Sequence, residues 1–89
     1  MKVEIAGYII VCEWRDAEGD YGVDIQSILI EDYGDAIAAK DEKLREEYNM
    51  YCDNANNENE VILDEDEIYV ENSALYSYVF IKTIHKQVK

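Results

Sequence analysis

Residues 3–14, VEIAGYIIVCEW, place apolar side chains on both faces of an extended chain. Val3, Ile5, Ile9 and Val11 fall on one side, and Ala6, Tyr8, Ile10, Cys12 and Trp14 on the other. A strand apolar on both faces belongs in the interior of a sheet. RDAEGDYG, residues 15–22, has two glycines and three acids and reads as a hairpin loop. VDIQSILIE follows as a second strand whose apolar positions change phase between Ile25 and Ile28, which predicts a bulge near Gln26 and Ser27.

From Asp32 to Cys52 the period switches. Ile37, Leu44, Tyr48 and Tyr51 recur at helical spacing, with Lys40, Arg45 and Glu46 mostly off that stripe. Asp32 is placed to cap the first turn, with Asp35 three residues on in an approximate capping box. A helix of about four turns is expected, closed by the polar loop DNANNENE at 53–60.

The row Asp64, Glu65, Asp66 and Glu67 interrupts what otherwise looks like sheet core. In one regular strand over 61–71 these acids would divide between the two faces, and neither face could be buried across its middle. The strand is therefore expected to break there. Val61 to Leu63 remain as a short apolar anchor, Ile68 to Glu71 form an edge strand, and Asn72 and Ser73 make a tight turn. The last strand, Ala74 to about His85, is apolar on both faces and belongs in the centre of the sheet. The expected fold is α+β: a single ββαββ domain over 1–89, with a mostly antiparallel four-stranded sheet and one helix packed on one face.

Charge adds to this picture. The chain has 89 residues, 21 acids and 8 Lys or Arg, for a formal net charge of −13. Seven acids and no base lie between Asp16 and Asp35, and eight acids and no base between Asp53 and Glu71. Direct binding to nucleic acid or to an anionic membrane would work against that charge, whereas a basic partner would be attracted. Carboxylates at i and i+2 of an extended chain stand about 6.6 to 6.8 Å apart, similar in scale to successive phosphates of a nucleic-acid strand. The acids expected to contact a partner are Asp64, Glu65, Asp66, Glu67 and Glu71, with Asp16, Glu18, Asp20 and Asp24 as a second group. Tyr69 joins them as an amphipathic ring among carboxylates. The alternative is a solvated surface that protects sheet edges and keeps the chain from associating.

Other chemistry is weakly represented. Cys12 and Cys52 stand forty positions apart with one histidine, His85, in the chain, so zinc-ligand spacing is absent and two free thiols are expected. Asp53 to Asp64 has oxygen side chains at loop positions 1, 5, 7 and 12, but Ala55 stands at position 3 and Glu58 where a calcium loop needs glycine. No Ser, Cys or Thr is placed by local sequence to partner His85. No enzyme, metal or cofactor is expected. The apolar run from Ile5 to Cys12 is about half of what a membrane helix needs, and Lys2 followed by Glu4 makes a poor signal-peptide start. A cytoplasmic protein is the expectation.

Base-free blocks such as EDYGD and DEDE on a very small acidic α+β chain resemble the phage and mobile-element proteins that block host defences, including anti-CRISPR proteins and DNA mimics. EVILDEDEIYVEN, residues 60–72, is similar to the C-terminal stretch of the small DpnD-PcfM-like proteins of mobile elements, with no catalytic motif to carry over. The first resemblance implies an inhibitor that occupies the basic groove of a nucleic-acid-binding host protein such as a CRISPR effector. The alternative is a small interaction or assembly module whose acidity serves only solubility.

Overall fold

The computed structural model describes residues 2–26, 28–54, 61–71 and 73–88. Five strands and one helix follow in the order β1 (Lys2–Arg15), β2 (Tyr21–Ile25), α1 (Tyr33–Asn54), β3 (Val61–Asp64), β4 (Glu67–Val70) and β5 (Tyr76–Val88). The strands form one antiparallel sheet in the order β2-β1-β5-β4-β3. As their two-faced apolar patterns required, β1 and β5 are central. They pair from Lys2↔Val88 to Arg15↔Tyr76, while β2 and β4 flank only the end near Arg15 and Tyr76. The other end of the pair runs on as a two-stranded ribbon with Lys2 to Ile5 exposed, and the molecule measures 55 × 25 × 18 Å.

Helix α1 lies on one face of the sheet. Asp32 caps it as expected, its Oδ2 accepting the Asp35 N–H at 3.0 Å. Twenty-two residues make about six turns where about four were expected, because the span from Asp32 to Cys52 already holds nearly six at about 3.6 residues per turn; the helix runs two residues past Cys52, to Asn54. The helix buries Ala36 and Leu44, with Ala39, Tyr48, Tyr51 and Cys52 packed beside them. Ile37 is 40% exposed, one position off that stripe, while Ala36 beside it is fully buried. Under the helix, Ile10 and Cys12 of β1, Val79 of β5, Ile68 and Val70 of β4, and Val61 of β3 complete the core. Burying an Ile, Leu or Val side chain is worth about 1.5 to 3 kcal/mol, so this small set carries the stability of the domain.

The sheet has five strands where four were expected. Val61–Asp64 is a paired strand, and it forms the edge, which places β4 inside the sheet. Asp64 opposes Glu67, leaving Glu65 and Asp66 as a two-residue hairpin loop. That loop changes the facing of the second arm, so that Val61, Ile68 and Val70 share the helix side and are buried. Asp64 and Glu67 share the opposite side with Ile62 and Tyr69. A run that alternates badly as one strand alternates correctly as two.

The pairing of β1 with β5 shifts register between Ile5 and Gly7. Gln26 donates its N–H to the Ile10 carbonyl at 3.0 Å, so that from Gln26 to Ile30 four steps of the chain stand against the two from Ile10 to Tyr8, around the place expected for a bulge. Strand β2 ends at Ile25, and Ser27 lies outside the described residues. Ile30 then returns to β1, its N–H donating to the Tyr8 carbonyl at 2.8 Å and its carbonyl accepting the Tyr8 N–H at 2.7 Å. Gly7 permits this approach, since a Cβ there would stand 2.7 Å from the Ile30 carbonyl oxygen and 2.8 Å from Leu29 Cγ. The final strand starts at Tyr76 and runs to Val88, later at both ends than expected. The expected loop beyond Asn54 and the turn at Asn72 lie outside the described residues.

Candidate functional site

The two acidic blocks fold into hairpins on opposite sides of the central pair. The first is the loop from Asp16 to Asp20 at the end of β1 and β2. Asp16 organises it: Oδ1 accepts the N–H groups of Glu18 and Asp20, each at 2.9 Å. An Asx-type turn uses Asp for its reach and acceptor capacity, so this carboxylate is committed to the loop. Glu18 and Asp20 point to solvent, and Asp24 is exposed on β2.

The second block is the β3–β4 hairpin. Asp66 pairs with Lys40 of the helix, Nζ to Oδ1 at 2.8 Å, and this hydrogen bond raises the lysine above its ordinary value. The Asp66 carbonyl accepts the Val79 N–H at 3.0 Å. Glu67 Oε1 accepts the Tyr76 hydroxyl at 3.1 Å. Two of the four acids expected to be free therefore serve the fold, because the loop that turns the chain also brings them beside α1 and β5. Asp64 and Glu65 remain exposed at the tip. Glu71, also exposed, lies past the end of β4 at the same end of the sheet as the first loop.

Register sets the spacing of the groups. The β1–β2 loop continues from the Arg15↔Tyr76 level, whereas Asp66 lies beside Val79. These are three residues, or about 10 Å, apart along the sheet, and β5 separates β1 from β4, another 10 Å or so across. The exposed acids are therefore distributed: Glu18 and Asp20 at the first loop, Asp24 farther along β2 at the Cys12↔Val79 level, Glu71 across β5 at the loop end of the sheet, and Asp64 and Glu65 at the β3–β4 tip.

Between β1, β2 and the second half of α1 opens a cleft of about 240 Å³. Trp14 and Tyr51 give it aromatic walls, and Asp16, Asp24 and Glu47 line it beside Arg15. Gly22, paired with Trp14, makes the cleft possible: any Cβ there would overlap the indole ring, so only glycine lets Trp14 lie flat across β2. Glu47 is held by Lys43 at 3.0 Å. Reading blocks of acids along the chain missed Glu47, which lies on the nearly balanced helix; its place four residues after Lys43 was the available signal.

Arg15 closes the end of the sheet. Its Nε donates to the Ala74 carbonyl at 2.6 Å, and its guanidinium carbon lies 5.8 Å from the centre of the Tyr21 ring and 5.7 Å from that of Tyr76. Two further bases, Lys40 and Lys43, are engaged with Asp66 and Glu47. Lys40 and Lys43 thus neutralise Asp66 and Glu47, while Glu18, Asp20, Asp24, Asp64, Glu65 and Glu71 have no ion-pair partner among the described residues. Tyr69 lies on the sheet face away from the helix, opposite Tyr76.

Cys12 and Cys52 are free thiols. Among the described residues, no group of three or more His, Cys, Asp or Glu is placed to hold a metal ion. No helix among them is long and apolar enough to cross a membrane. No protein-family model, curated protein or solved structure matches the chain.

Proposed function

We propose that this protein is a non-enzymatic acidic inhibitor that occupies the basic nucleic-acid-binding groove of a host defence protein, such as a CRISPR effector. The observation that carries this reading is the partition of its charges: Lys40 and Lys43 neutralise Asp66 and Glu47, while both hairpins present exposed carboxylates with no ion-pair partner among the described residues. Such carboxylates attract a basic groove at long range and suit its potential on contact. The cleft offers a place for one cationic side chain, with Asp24 supplying charge and Trp14 and Tyr51 supplying ring faces.

A second reading rests on Tyr69. Its place on the uncovered sheet face, beside Tyr76, favours an interaction module that binds through aromatic contacts and for which charge is only a solvated surface.

Capture from host extract on the immobilised protein, with retained proteins identified by mass spectrometry, tests both. The inhibitor reading expects a nucleic-acid-binding protein that is displaced by excess duplex DNA and retained less by a variant neutralised at Glu18, Asp20, Asp24, Asp64, Glu65 and Glu71. Retention that ignores DNA and neutralisation but is lost in Tyr69→Ala would instead establish the interaction module.

A further inference from the structure

The geometry points to the sheet face opposite the helix as a self-association surface on which a second copy of this chain packs, sheet against sheet. The key observation is the inverted pattern of β2. In a sheet covered on one side by a helix, apolar side chains should face the helix and polar ones should face water. In β2 the helix side receives Gly22 and Asp24, while Tyr21, Val23 and Ile25 point the other way, 78%, 57% and 60% exposed. Of their cross-strand neighbours, Arg15 and Glu13 are charged, while Val11 is buried between Ile25 and Phe80 and joins the two apolar side chains beneath the surface. No element among the described residues covers this face.

Charge identifies the occupant. From the Ile9↔Lys82 level to the Arg15↔Tyr76 level, register places three acids, Glu13, Asp64 and Glu67, and two bases, Arg15 and Lys82, on this face, a net −1 on a chain of net −13. Two copies repel across their loops and helices but meet here at near neutrality, each bringing both signs. A strongly basic partner has its attraction elsewhere, at the unpaired carboxylates.

The area is sufficient. Between the Ile9↔Lys82 and Arg15↔Tyr76 levels, register directs fifteen residues of the five strands to this side, each covering about 4.8 Å by 6.7 Å of sheet. That gives on the order of 500 Å² per copy once side chains are included, or about 1,000 Å² in total, the threshold for a specific interface. Two such faces pack about 10 Å apart as a sandwich.

Sedimentation equilibrium from micromolar to submillimolar protein tests this, whether or not the acidic loops bind a basic partner. At about 1 M salt, where charge is screened within about 3 Å, the mass should rise towards twice 10.3 kDa, and association should weaken as salt is lowered. Val23→Lys with Ile25→Lys should weaken association at least tenfold with the thermal midpoint unchanged, and Tyr21→Lys, where little packing is at stake, should act in the same direction. Ile37→Lys, exposed on the helix, should associate as the parent does. A parent that stays at 10.3 kDa throughout in high salt, or face variants that associate as the parent does, would overturn the proposal.

Discussion

Ser77 is the one fully buried polar side chain among the described residues, and its oxygen lies 2.5 Å from the Tyr51 hydroxyl. Removing one partner of a buried hydrogen bond costs about 1 to 3 kcal/mol through the desolvated group left behind. Tyr51 is only half-buried, so its hydroxyl has access to water when Ser77 is removed, whereas the fully buried Ser77 keeps only the Cys12 thiol as a hydrogen-bond partner when the Tyr51 hydroxyl is removed. Tyr51→Phe should therefore destabilise by about 1 to 3 kcal/mol and Ser77→Ala by less, as urea unfolding would measure. The same cluster predicts a pH limit. Burial pushes the Cys12 thiol above its ordinary 9.0 and the Tyr51 and Tyr76 hydroxyls above 10.0, with Glu67 reinforcing the shift at Tyr76. Raised values mean that the folded state favours the protonated forms. Their stabilisation is complete below those ordinary values and is lost as pH climbs through the higher, folded ones. Thermal midpoints should fall above about pH 9, and the fall should be shallower in Tyr51→Phe.

The β3–β4 hairpin places a non-glycine residue, Glu65, at a φ of 52°. Left-handed backbone costs an ordinary L-residue about 1 to 2 kcal/mol, and glycine largely escapes that penalty while losing more entropy on folding. Glu65→Gly should therefore raise stability by roughly 0.5 to 1 kcal/mol, measured by thermal or urea unfolding; a fall in stability would contradict the loop geometry. This hairpin also marks how far the sequence could be read. The failure of 61–71 to bury either face as one strand located the break at the acids, because alternation is local information. That the break was a two-residue turn, and so created a fifth strand, depended on pairing between the arms, and no glycine or asparagine signalled it. Ala36 was passed over for Ile37 for a similar reason: the helix selects residues by angular position, and a small side chain fits where α1 approaches the sheet. At the candidate site, block counting found the exposed carboxylates. It could not separate Glu65, which faces water, from Asp66, which Lys40 holds from twenty-six residues away in sequence.

The whole molecule is a sheet with three unlike surfaces: a helix-covered core, an apolar open face, and acidic loops at the sheet end and along one edge. Salt acts on the last two in opposite directions. Contact between open faces should strengthen as the repulsion between like copies is screened, whereas attraction between unpaired carboxylates and a basic groove should weaken, since exposed charges act over only about 8 Å at physiological ionic strength. The proposed inhibitor is therefore tested most directly by its affinity for the captured basic partner, measured as a function of salt for the parent and for the variant neutralised at Glu18, Asp20, Asp24, Asp64, Glu65 and Glu71. The parent should lose affinity steeply with salt, and the neutralised protein, with an unchanged thermal midpoint, should bind at least tenfold more weakly with a shallower slope. Equal affinities and equal slopes in a variant that remains folded would contradict the account.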